Sequence, residues 1–301
     1  MTDVSRPTGC VVLVPCYNEG ENARTLVSTL SGAGALDVVL IDDASDDPAS
    51  RAVLFDLQTQ PNVRVMRAPE RRGKVAGIVA AMRTLDDGIR AVLTIDCDVE
   101  TSVASIEAVL DEIGRSDLVL ANALPLQLNR TFWERGAVFS ALRHARLRDR
   151  LLDRYPALCT NGRLLGMSRR MVEAILRSKV PLHTEDAHFM LVCLHEGFSY
   201  ALRSDAVVRF RAPQTPADYL KQTDRYAQGR ELLAQRWPQS DLTRYYDLRA
   251  TDAFRTAVEQ AVRDPLGALA FGALLGAKVM RRGKPIERGG WPVASSTKVL
   301  R

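Results

Sequence analysis

Cysteine is sparse and unpaired in this chain. Cys10, Cys16, Cys97, Cys159 and Cys193 are five scattered residues among 301, and none stands in a C-x-x-C arrangement. Such a set excludes a disulfide scaffold and a zinc site, and implies reduced thiols in the cytosol. Histidine is as thin: His144, His183, His188 and His195 make no metal-ligand pattern. A glycine-rich phosphate loop is missing too. The first apolar run ends in Pro15-Cys16-Tyr17-Asn18 instead of G-x-G-x-x-G, which excludes a nucleotide dehydrogenase. Residues 1–8 hold no apolar segment and do not read as a signal peptide. Residues 265–277 carry no charge, but as a helix they would reach only about 20 Å against a hydrocarbon core of ~30 Å. No repeat or low-complexity stretch is present.

What is present is ordinary in bulk and uneven in charge. Hydrophobic residues make up 46% and charged residues 26%, enough for one large domain or a domain with appendages. The net charge is +5, yet residues 278–301 hold seven basic residues and one acid, a net +6 that leaves the body at −1. The basic end points to an anionic surface or a solubilising tail. An uncharged helix over 265–277 followed by Arg281, Arg282 and Lys284 suits an interfacial anchor on an anionic leaflet. A helix packed on the body or on a partner subunit fits the same pattern. Arg143, Arg146, Arg148, Arg150 and Arg154, sharing a helical stretch with Asp149 and Asp153, read as a solvated, salt-bridged face.

Strand and helix patterns alternate through the first hundred residues. Strands are predicted at 10–15, 37–41, 62–66, 91–95 and 117–121, and helices at 19–30, 75–85 and 102–113. That rhythm implies an α/β fold with a mostly parallel, doubly wound sheet. Beyond Pro125 the pattern shifts to a long helix over 132–152, a loop to 166, and a short helix over 168–177. An acidic turn at 183–186, a further helix, a strand pair near 198–210 and a helix over 217–237 follow.

The fourth strand runs directly into Asp96-Cys97-Asp98. Side chains at i and i+2 of a strand share a face, and the carboxyl ends of strands in such sheets line the ligand crevice. Two carboxylates there repel unless a cation or hydrogen bonds hold them. Hard oxygen ligands with open positions suit Mg²⁺ or Mn²⁺, which usually share their shell with substrate phosphates. Asp42 and Asp43 follow the second strand, where a turn or helix cap would explain them equally. Thr184-Glu185-Asp186 would suit a helix start on dipole grounds alone.

Taken in order, these pieces resemble the inverting family 2 glycosyltransferases of GT-A fold. Val14-Pro15-Cys16-Tyr17-Asn18-Glu19 is similar to the family's VPxYNE, Asp42-Asp43-Ala44-Ser45-Asp46-Asp47 to DDxSxD, Asp96-Cys97-Asp98 to D-x-D and Thr184-Glu185-Asp186 to T-E-D. Gln222-Thr223-Asp224-Arg225-Tyr226 resembles the Q-x-x-R-W of the polysaccharide-synthase branch, with tyrosine in place of tryptophan. The likeness spans roughly residues 10–230.

The resemblance implies roles. Pro15, Tyr17 and Glu19 would flank the base and ribose, Asp42 or Asp43 would contact uridine, and Asp96 would lie near the sugar or ribose. Asp98 would hold Mg²⁺ or Mn²⁺. Lys74, in a stretch similar to the family's GK step, would approach the phosphates, although a solvated basic turn fits as well. Asp186 would be the general base, with Glu185 the fallback. Arg225 would touch the diphosphate, Gln222 the acceptor region, and Tyr226 would stack on the acceptor sugar; an ordinary amphipathic helix explains these three too.

The resulting expectation is a GT-A domain over 1–240, with a nucleotide half at 10–122 and an acceptor half at 123–240. A helical, basic extension over 241–301 would follow. Its activity would be inverting transfer, of hexosyltransferase type, from a UDP-sugar or other nucleotide-sugar to a hydroxyl of a saccharide, lipid or small molecule. The protein would be cytoplasmic, peripheral on the inner face of a membrane through its tail, and without a nucleic-acid partner. The alternatives are a catalytic subunit working with a membrane protein and a silent nucleotide-sugar-binding domain. A sugar-1-phosphate nucleotidyltransferase is disfavoured, since no G-x-G-T-R loop follows the first strand.

Overall fold

The computed structural model of the chain describes residues 9–34, 36–178, 184–280 and 297. His183 of the acidic turn and the basic residues Arg281, Arg282 and Lys284 of the expected anchor lie outside the described residues. In chain order the elements begin with β1 (Cys10–Cys16), α1 (Gly20–Ser31), β2 (Asp37–Asp42), α2 (Pro48–Leu57), β3 (Val63–Arg67) and α3 (Lys74–Met82). They continue with β4 (Ala91–Ile95), β5 (Val99–Glu100), α4 (Val103–Ile113), β6 (Leu118–Pro125), α5 (Phe132–Leu151) and α6 (Pro156–Cys159). Next come β7 (Leu164–Ser168), α7 (Arg169–Arg177), α8 (Glu185–His195) and β8 (Tyr200–Phe210). The last four are α9 (Pro216–Ala234), α10 (Gln239–Tyr245), α11 (Ala250–Arg263) and α12 (Pro265–Met280). The chain divides into two compact units, Met1–Ala123 with Asn161–Val208, and Leu124–Thr160 with Arg209–Arg301.

The sheet has the order β3-β2-β1-β4-β7-β6-β8-β5. From β3 to β4 the pairings are parallel, with Val12 opposite Val38 and Leu93. β7 then reverses direction against both β4 and β6. β1 and β4 are apolar and buried almost throughout, as central strands covered on both faces must be. The mostly parallel sheet expected from the sequence is therefore mixed, parallel up to β4 and antiparallel at β7.

Three local expectations change. The stretch from Pro156 to Gly166, expected as loop, contains α6 and the first half of β7. Gly166 breaks the strand's apolar pattern because a side chain there would meet Val109 Cγ1 at 2.6 Å, so α4 seats only against glycine. The expected strand pair near 198–210 is the single strand β8, whose exposed Ser204 is held by Asn122 Nδ2 at 3.2 Å. Arg148 is not on a solvated face. It is 1% exposed, because α5 packs against α6, α11 and α12. Its neighbour Arg150 does pair with Glu259, and Arg154 with Asp252 at 3.0 Å.

In the second unit α12 lies along α5. Ala137, Val138, Ala212, Tyr219 and Leu274 form the buried cluster between these helices and α9, and the Phe139 and Phe271 rings meet at 5.4 Å. The five cysteines are buried free thiols.

Candidate functional site

In the first unit, the loops after β1 and β2 are stitched by one side chain. Asn18 sits in the left-handed region at φ 55°, a conformation asparagine tolerates better than most residues. Its backbone N–H donates to Ser45 Oγ at 2.9 Å and its Nδ2 to Asp46 at 2.6 Å. Its Oδ1 accepts from the Asp46 and Asp47 N–H groups, both at 3.1 Å. Pro15 stands opposite Ile41 in the β1–β2 register, one place before its last pair, Cys16 with Asp42. Tyr17 lies under the Arg71 guanidinium, 4.1 Å from ring centre to Cζ. Glu19 caps α1 through its carbonyl, which accepts from Ala23 N–H at 2.9 Å.

Asp42 and Asp43 are buried and hydrogen-bonded within the protein. Asp42 accepts from Ser45 N–H at 2.8 Å and pairs with Arg67 of β3. Asp43 accepts from Arg72 N–H at 2.7 Å and from Gly73 N–H at 3.0 Å. Both therefore shape loops, and Asp43 fixes the 71–73 segment that starts α3 at Lys74.

Lys74 is the centre of the cluster. Its Nζ lies 2.6 Å from Asp96 Oδ1 at the tip of β4, 2.6 Å from Glu185 Oε1 at the start of α8, and 3.4 Å from the Gly162 carbonyl. Burial works against its charge, but Asp96 and Glu185 outweigh it and hold the ammonium well above the usual lysine range. Beside it, Asp186 Oδ2 accepts from Gly162 N–H at 3.2 Å and Oδ1 from Ala187 N–H at 2.8 Å. Burial, and then the Glu185 charge, raise the Asp186 carboxyl to about 6. A carboxylate with that basicity is poised to take a proton near neutrality.

Asp98 is half-buried two residues past Asp96. Cys97 between them is buried, and its hydrogen bond to Cys16 and its desolvation push the thiol well above its usual value. Among the described residues no three acidic, histidine or cysteine side chains form a ready cage. The donor set at the strand tip, a hard carboxylate in partial contact with solvent, fits a cation that completes its shell with water and phosphate oxygens.

Gln222, Arg225 and Tyr226 stand on α9 in the second unit, Tyr226 being exposed. Sequence reasoning assigned no role to Asn18, Ser45, Arg67 or Gly162, all of which position the acids just described. Asn18 and Ser45 lie inside motifs already quoted, and Asn161-Gly162 is a turn signal.

Comparison with known proteins gives a consistent picture. The profile described as "Glycosyl transferase family 2" matches residues 11–176. Among solved structures, the chain is similar to the mannosyltransferase PcManGT from Pyrobaculum calidifontis, in complex with GDP-Man and Mn²⁺. The TM-score is 0.56 at 18% identity, over 95% of this chain and 77% of that one. It is also similar to S. aureus TarS 1–349, with a TM-score of 0.50 at 14% identity, over 94% of this chain and 76% of that one. A search of curated proteins gives no significant match.

Proposed function

Because the chain belongs to glycosyl transferase family 2 and is a glycosyltransferase of the α/β GT-A type, we propose that it moves a sugar, of hexosyl type, from a UDP-linked donor to an acceptor hydroxyl with inversion. The observation that carries this reading is the Lys74 bridge, which ties the D-x-D tip of β4 to the acidic start of α8. In this reading Asp186 takes the proton of the acceptor hydroxyl, whose oxygen attacks the anomeric carbon. The bond to the diphosphate breaks, and the diphosphate leaves with the electron pair. Attack opposite the leaving group inverts the centre.

The remaining residues bind and orient. Asn18 holds the loop of Pro15, Tyr17 and Glu19 beside that of Asp42 and Asp43, where the nucleoside would lie. Lys74 keeps Asp96 and Glu185 together and offers positive charge to a phosphate. On α9, Arg225 would meet the diphosphate, and Gln222 and Tyr226 the acceptor. Mg²⁺ or Mn²⁺, held by Asp98, would supply Lewis-acid stabilisation of the departing diphosphate; the Mn²⁺ and GDP-Man of PcManGT support that ion class and a nucleotide-sugar donor.

The test is Asp186→Asn. It should bind UDP as the parent does and transfer sugar about 10²–10⁴-fold more slowly. Transfer at the parental rate would remove Asp186 from the base role.

A further inference from the structure

The second unit carries an apolar surface that sugar transfer does not use. On α11, Phe254, Val258 and Val262 recur every fourth residue, so they share one helix face, and Phe254 and Val262 are 72% and 79% exposed. On α12 every exposed position is Pro, Leu, Gly, Ala, Val or Met, with Leu266, Leu269 and Met280 the largest side chains at its two ends. A surface helix ordinarily turns polar residues outward. This one does not.

The inner side of α12 is already seated. Gly267, Ala270 and Leu274 are buried, and a side chain at Gly136 of α5 would lie 2.7 Å from the Ala270 backbone. Asp264 fixes the N-terminal end, accepting from Gly267 N–H at 2.9 Å and from Arg135 at 2.7 Å. The outward apolar face is thus a permanent surface of a docked helix. Contiguous exposed apolar area with a charged rim marks an interaction site.

Charge selects the occupant. Arg263 is exposed on α11, as is Arg255, which pairs with Glu259 at 3.1 Å; Lys278 lies near the end of α12, and residues 278–301 sum to +6. Basic residues beside outward Phe, Leu and Val match the boundary between anionic headgroups and acyl chains. Among the described residues α12 runs for sixteen residues, about 24 Å, and no helix is long and apolar enough to cross a membrane. We propose that the exposed faces of α11 and α12 dock the protein on an anionic bilayer surface. The assignment goes beyond sugar transfer and does not rest on it.

The test uses the full chain in flotation with vesicles of equal phosphatidylglycerol and phosphatidylcholine, and with phosphatidylcholine alone. The chain should float with the anionic vesicles, and salt at about 0.5 M should weaken the association. Val262→Asp combined with Leu269→Asp should cut binding roughly tenfold or more, with UDP binding and melting temperature unchanged. Separately, Phe254→Trp should give a blue-shifted fluorescence component on adding the anionic vesicles, a readout that survives even if the double variant misfolds. Absent flotation, equal binding to neutral vesicles, full binding by a folded double variant, or an unshifted emission from the Phe254→Trp variant overturns the proposal. A dimer that the double variant dissociates, without vesicle binding, would reassign the face to a second copy of the chain.

Discussion

Asp186 meets two opposed demands. Its carboxyl, raised to about 6 by burial and by Glu185, is more basic than an ordinary aspartate and correspondingly uncomfortable as an anion. Between about pH 4 and 6 the folded protein then binds more protons at this group than the unfolded chain does, so stability falls as pH rises through that window. Asp186→Asn should be more stable than the parent at pH 7, by up to about 3 kcal/mol in urea unfolding, and the gain should vanish below pH 4. For the parent, kcat/KM should fall on the acid side with a midpoint near 6, since the base must be deprotonated; a flat profile down to pH 5 contradicts the role. Lys74→Met leaves Asp96 and Glu185 facing each other, at a cost of about 3 kcal/mol, measurable as a lower midpoint in the same urea unfolding. The acids at 42–43, 96–98 and 185–186 were legible because each group is contiguous in sequence. The ion that binds two of those groups was not, since Lys74, Asp96 and Glu185 meet only after the sheet forms.

At the scale of elements, Asp117 at the threshold of β6 ties together the neighbouring β7, α7 and β8. It accepts from Ser168 Oγ at 2.9 Å, from the Ser199 N–H at 3.0 Å, and from the Arg170 guanidinium. Burial opposes its ionisation, but Arg170 and the serine donors prevail and hold the carboxyl down to about 2. Its contribution to stability is present above pH 4 and is lost as pH falls toward 2. Asp117→Asn should cost about 2 kcal/mol at neutral pH, and its deficit relative to the parent should shrink steadily below pH 4. The sequence exposed β1, β2 and β4, whose apolar runs end in polar turns. It concealed β7, because the glycine demanded by α4 looks like a loop residue, and it misjudged Arg148, because helices far along the chain cover α5. Periodicity reports what one element offers, and cannot say which distant element will accept it.

For the whole molecule, a ligand that binds only the folded state raises its stability by mass action. A UDP-sugar with Mn²⁺ at about a hundred times its dissociation constant should add about 2.7 kcal/mol, read as an upward shift in melting temperature. In Asp98→Ala the part of that shift that needs manganese should disappear while a smaller nucleotide effect persists; an undiminished shift would take the cation away from residue 98. The placement of acids at strand tips comes from the sheet's direction, and one reversal in it has a particular outcome. β7 runs against β4, so Leu164 stands opposite Ile95 and the chain enters β7 where β4 ends. A parallel neighbour would deliver its terminus there and send its origin to the far rim. Here an incoming segment arrives instead, bringing the Gly162 amide to Asp186 and the Arg163 carbonyl to the Asp96 amide at 2.9 Å. The antiparallel turnabout thus supplies fresh backbone donors and acceptors at the one rim where the parallel strands have run out of theirs.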